Sequence, residues 1–97
     1  MYAAVRLYRV SPGSTDEMVQ RVKEEFVPVI KQMSGFIAYY GVQVGNGELV
    51  TISIFEDRAE AEESTRRAAD WVPQNVAMFV LGPAEVREGQ VVMDEVV

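Results

Sequence analysis

Residues 36–55 read FIAYYGVQVGNGELVTISIF, and their pattern decides the fold. Two runs rich in Val, Ile, Tyr, Phe and Thr flank Gly45-Asn46-Gly47, and Asn-Gly is the commonest dipeptide for a tight hairpin turn. With Asn46 and Gly47 as a two-residue loop, Val44 faces Leu49, Val42 faces Thr51, Tyr40 faces Ser53 and Ala38 faces Phe55. Alternation of side chains then puts Tyr39, Gly41 and Gln43 on the other face, against Ile54, Ile52 and Val50. Both faces are largely apolar. A hairpin of that kind needs a cover on both sides.

Working outward, residues 2–10 (YAAVRLYRV) alternate and read as a first strand, with Ala3, Val5 and Leu7 on one face and Tyr2, Ala4, Arg6 and Tyr8 on the other. Ser14 with Glu17 fits a capping box. From there Met18, Val19, Val22, Phe26, Val29, Ile30 and Met33 recur at helical spacing. Pro28 falls inside this helix and predicts a kink, and Gly35 predicts its left-handed end. After the hairpin, Asp57 caps a second helix with Glu60 three residues on. Glu62 with Arg66 and Glu63 with Arg67 predict its solvent side, and Ala61, Ser64, Thr65 and Ala68 a small-residue face for close approach to the sheet. Trp71 follows that helix, and Pro73 starts a separate short turn through Asn75, Val76, Phe79 and Val80. Residues 84–97 read as a fourth strand, interrupted at Glu88-Gly89.

The order strand, helix, strand, strand, helix, strand predicts one α+β domain: a ferredoxin-like four-stranded antiparallel sheet with both helices on one face. The second sheet face is then left apolar and open, and a face-to-face homodimer would cover it. The valine-rich tail is a candidate to pair with, or swap onto, the partner's edge strand.

Composition narrows the function. Ninety-seven residues make a single domain. Apolar residues at 48% and charged ones at 25% are those of a water-soluble globular protein. No run reaches the roughly 18 apolar residues of a membrane span, and the amino terminus lacks a signal peptide's features. The expectation is therefore a cytoplasmic chain. There is no Cys and no His, which removes thiolate chemistry and the commonest residue of zinc sites, haem ligation and acid–base catalysis. A net charge of −6 opposes nucleic-acid and anionic-membrane partners.

Several short segments carry a resemblance. Gly35-Phe36 opening the second strand, Phe55-Glu56-Asp57-Arg58-Ala59 entering the second helix, and Ser64-Thr65, Ala68-Ala69 and Trp71 closing it resemble the antibiotic-biosynthesis-monooxygenase-like domain of the dimeric α+β barrel superfamily. That superfamily includes cofactor-independent quinone-forming monooxygenases, haem-degrading monooxygenases, muconolactone isomerase and small proteins of unknown function. The resemblance implies a homodimer with one pocket per subunit between sheet and helices. It disfavours haem here, because the family's haem enzymes rely on an axial His. No metal or cofactor is expected.

Candidate pocket residues follow. Trp71 lines the pocket, as the resemblance implies, or anchors the core at a helix end. Tyr8 and Tyr40 are hydrogen-bonding groups for a ligand or simply strand packing. Arg6 is a charge inside an apolar strand, suited to hold a phenolate or carboxylate or else to form a salt bridge. Arg87 is better explained as an edge or intersubunit ion pair. Asn75 is an oxyanion donor or a local backbone bond. Two functions are carried forward: a small-molecule monooxygenase acting on a phenolic or polycyclic aromatic substrate, and a non-catalytic homodimeric ligand-binding or interaction module.

Overall fold

A computed structural model describes all residues, 1–97. Strand β1 (Tyr2–Arg9) is followed by α1 (Thr15–Arg21), a π-helical turn (Val22–Phe26) and α2 (Val27–Lys31). Strands β2 (Phe36–Val44) and β3 (Glu48–Phe55), helix α3 (Arg58–Asn75), a 3-10 turn (Ala77–Phe79) and β4 (Glu85–Gln90) complete the chain. The sheet is antiparallel with order β2-β3-β1-β4, the expected ferredoxin-like α+β arrangement.

The hairpin is where expected, but its register differs by one residue. Val44 pairs with Glu48, Val42 with Val50 and Tyr40 with Ile52. The loop has three residues, and Gly45 adopts a positive φ of 60°, a conformation glycine reaches without steric cost. One extra loop residue exchanges every cross-strand neighbour. Tyr39, Gly41 and Gln43 therefore lie with Leu49, Thr51 and Ser53 on the helix side. Tyr40, Val42 and Val44 lie with Val50 and Ile52 on the open side.

The first helix is interrupted just ahead of Pro28 by a widened turn. Val27 N–H bonds back five residues to Val22 O. This widened turn sits just before the ring that would otherwise press on the preceding turn. Gly35 ends the connection with a φ of 75°. Four local expectations are corrected. The Ser14 side chain makes no cap bond, whereas Asp57 does accept from Glu60 N–H at 3.0 Å. Glu62 pairs with Arg58 rather than Arg66, while Glu63 holds both Arg66 and Arg67. Helix α3 runs through Trp71 and Pro73 to Asn75. The missing Pro73 N–H removes one bond from an exposed face, and Val76 N–H to Val72 O, 2.9 Å, closes the last turn. Strand β4 is uninterrupted at Glu88-Gly89 and ends at Gln90; residues 92–97 form no regular element.

The core lies between the sheet and the helices. Met18, Val22, Phe26 and Ile30 of the first helical stretch meet Leu49 and Phe55 of β3, and Ala61 and Ala68 bring α3 close to the sheet. No helix is long and apolar enough to cross a membrane. The opposite sheet face carries Val5, Leu7, Val50, Ile52, Tyr40 and Val42 with nothing of this chain over it.

Candidate functional site

Within the layer between sheet and α3 the structure holds a cavity of about 440 Å³, in the range that accommodates a small organic ligand. Its walls come from β1 (Arg6, Tyr8), α3 (Thr65, Ala68, Val72) and the segment after α3 (Val80 among others). The small side chains of α3 leave the space. Only Arg6, Tyr8 and Thr65 among the lining residues have polar side chains.

Arg6 is the centre of the site. It is 1% exposed, the largest fully buried side chain in the molecule. It sits on the helix-side face of β1 because it alternates with Ala4 and Tyr8. Its guanidinium meets four hydroxyls. Nη2 donates to Ser53 Oγ at 2.6 Å, Nε to Thr51 Oγ1 at 3.3 Å, and Nη1 to Ser64 Oγ at 3.4 Å and Thr65 Oγ1 at 3.2 Å. No carboxylate forms a salt bridge with it. Buried arginines are ordinarily paired with an acid, so this cation is solvated by neutral oxygens at the wall of an apolar cavity.

Tyr8 lies beside it. Burial pushes its phenol up to about 12, against the pull of the neighbouring Arg6 guanidinium. Near neutral pH it is thus a neutral hydrogen-bonding group rather than a base.

The remaining candidates are placed elsewhere. Trp71 packs on Phe26, ring centroids 5.3 Å apart, and lines a residual space of only about 10 Å³ with Tyr8, Phe26 and Tyr39. Its neighbour Val72 faces the cavity instead. Asn75 Nδ2 donates to Trp71 O at 2.9 Å, the local backbone bond. Tyr40 is 55% exposed on the open sheet face, across the sheet from Tyr8. Arg87 is exposed at the β4 edge and bonds to Val86 O. The sequence reading brought Arg6 and Tyr8 together but missed the hydroxyls. Their signal was small polar residues, Thr51, Ser53 and Ser64-Thr65, at positions where buried elements usually carry aliphatics.

Fold and cavity together define a ferredoxin-like α+β domain with a cation-bearing apolar pocket between its layers. The antibiotic biosynthesis monooxygenase family matches residues 1–69, and the chain belongs to that family. Solved structures share the fold. One, a protein of unknown function from Nitrosomonas europaea, is 15% identical with a TM-score of 0.81, over 99% of this chain and 93% of its own. A second is the Streptomyces coelicolor monooxygenase from the gene ActVA-Orf6, in complex with nanaomycin D. It is 14% identical with a TM-score of 0.77, over 99% of this chain and 91% of its own. A third, from Agrobacterium tumefaciens, is 23% identical with a TM-score of 0.66, over 93% and 92%. No curated protein matches the sequence.

Proposed function

We propose that this chain is a small-molecule monooxygenase that binds a phenolic or polycyclic aromatic substrate as its anion and lets it react with O₂ without metal or flavin. The observation that carries this reading is the buried Arg6 guanidinium, held by four hydroxyls and no acid, at the wall of an apolar cavity. An apolar wall takes an aromatic ring, and a desolvated cation favours the ionised oxygen of that ring over the neutral phenol. The electron-rich anion then reduces O₂. For an anthrone, one O₂ adds at the activated carbon, and the resulting hydroperoxide loses one water to give the quinone. The protein's tasks are binding, exclusion of water and stabilisation of the anion. Family membership and the nanaomycin D complex of a structural neighbour support the same reading.

The working unit in this reading is a homodimer. Its support is the open sheet face, apolar at Val5, Ile52 and Val42 and bordered by charges of both signs, Glu48, Glu85 and Arg87. A surface that is apolar at its centre and mixed in charge at its rim suits self-complementary two-fold packing. A second reading, a non-catalytic ligand-binding module, is favoured by one observation: no lining side chain is a base at neutral pH. Oxygen uptake separates the two. With anthrone-type substrates, consumption of one O₂ per quinone above the protein-free rate, with water rather than hydrogen peroxide as the other product, supports the oxygenase. Binding of the same compounds without uptake supports the module.

A further inference from the structure

The geometry points to Glu88 as the group that receives the substrate's acidic proton, with the Thr65 hydroxyl carrying it out of the cavity. This rests on the pocket reading given above. The reading requires an aromatic acid to lose its proton beside Arg6, and the polar side chains at the walls there are a guanidinium, a phenol and one threonine hydroxyl. Arg6 has only protons to donate, and Tyr8 is held neutral. Thr65 differs from both because it is connected. Its Oγ1 donates to Glu88 Oε2 at 2.8 Å and accepts from Arg6 Nη1 at 3.2 Å.

A hydroxyl has one hydrogen and two lone pairs. The hydrogen is committed to Glu88 and one lone pair to Arg6, which leaves the other lone pair for a ligand at the cavity wall. Glu88 lies on the helix-side face of β4, opposite Ala4 in the pairing and two residues beyond Val86, a lining residue. It is exposed, so a proton that arrives there reaches bulk water. The bond from the substrate to its acidic hydrogen breaks and leaves its electron pair on the substrate. Thr65 Oγ1 takes that proton as its own passes to Glu88 Oε2, and the carboxylic acid then releases it to water. Arg6 stabilises the anion left behind. Arg58 of α3, itself paired with Glu62, also lies within electrostatic reach of Glu88.

Anaerobic rapid mixing with anthrone tests this without O₂ chemistry, by following the visible absorbance of the anthrone anion while Trp71 fluorescence reports binding. Relay by a positioned acid–base group is worth about a hundredfold or more, so Glu88→Gln and Thr65→Val are expected to slow anion formation at least about tenfold. The binding constant of Glu88→Gln should stay within about twofold of wild type, since Glu88 lines no wall of the cavity and Arg6 and Thr65 are kept. Thr65→Ser keeps the hydroxyl and should restore the rate. Ionisation as fast in Glu88→Gln as in wild type, with binding intact, overturns the relay alone. Absence of anthrone binding by the wild type overturns the pocket reading beneath it.

Discussion

Replacing Arg6 with Met removes the cation and keeps the length of the stem. The effect on stability follows from two opposed contributions. Burial of an unpaired guanidinium costs several kcal/mol even after local relaxation. Against this stand four hydrogen bonds from a charged donor. The bond to Ser53 is short, 2.6 Å, and the others are 3.2 to 3.4 Å. The short one contributes about 2 kcal/mol and the long ones roughly 1 kcal/mol each. The opposed amounts are nearly equal. Of the hydroxyls left behind, Ser64 still donates to Ala61 O at 2.6 Å and Thr65 still reaches Glu88, so only Thr51 and Ser53 lose their partner. Arg6→Met is therefore expected to alter the unfolding free energy by no more than about 2 kcal/mol in either direction, a change in Tm of up to ~8–16 °C. Binding should respond differently. Losing the charged partner of an anionic ligand costs about 1.5–3 kcal/mol, a roughly 10- to 150-fold rise in Kd. Urea unfolding followed by Trp71 emission gives the first quantity, and titration with para-nitrophenol above its ionisation range gives the second. A loss of more than about 4 kcal/mol with unchanged ligand affinity would refute the reasoning, because Arg6 would then be a structural brace.

Two other perturbations follow from the same geometry. Tyr8 is pushed up from 10.0 to about 12 by burial, so its neutral form is favoured in the folded state; the stability this confers is complete below pH 10 and is lost as pH rises towards 12. Wild type should accordingly lose roughly 2–3 kcal/mol relative to Tyr8→Phe across that window, and parallel pH-stability curves would contradict it. Ile52→Asp, in the middle of the open sheet face, sets two carboxylates against each other in the proposed homodimer and should yield a monomer by sedimentation; an unchanged mass would place the dimer contact elsewhere.

The element order was legible because it depends on local chemistry: Gly35 and Asp57 mark ends, and the alternation in β1 and β3 marks faces. The hairpin register was not, since Gly45 joined the loop and moved Tyr40 away from Ser53 to Ile52 and onto the open face. Helix α3 outran its expected end because one proline on an exposed face removes a single bond, while Val72 and Val76 still hold the turn. Arg6 stood out in the sequence as a charge among apolar neighbours. Its cradle did not, because Thr51, Ser53, Ser64 and Thr65 lie 45 to 59 residues away in the chain. Such convergence is a property of the packed layers rather than of any segment. Trp71, chosen for its rarity, packs against Phe26, and the cavity opens one residue further on at Val72.

The central claim is that the cavity beside Arg6 prefers an aromatic anion. Spectrophotometric pH titration of para-nitrophenol at saturating protein tests it most directly. The account predicts that the bound phenol ionises at least about one pH unit lower than in buffer, as a nearby fixed cation requires, and that Arg6→Met abolishes the difference. Ionisation at the buffer value, or a lowering that survives in Arg6→Met, would contradict it.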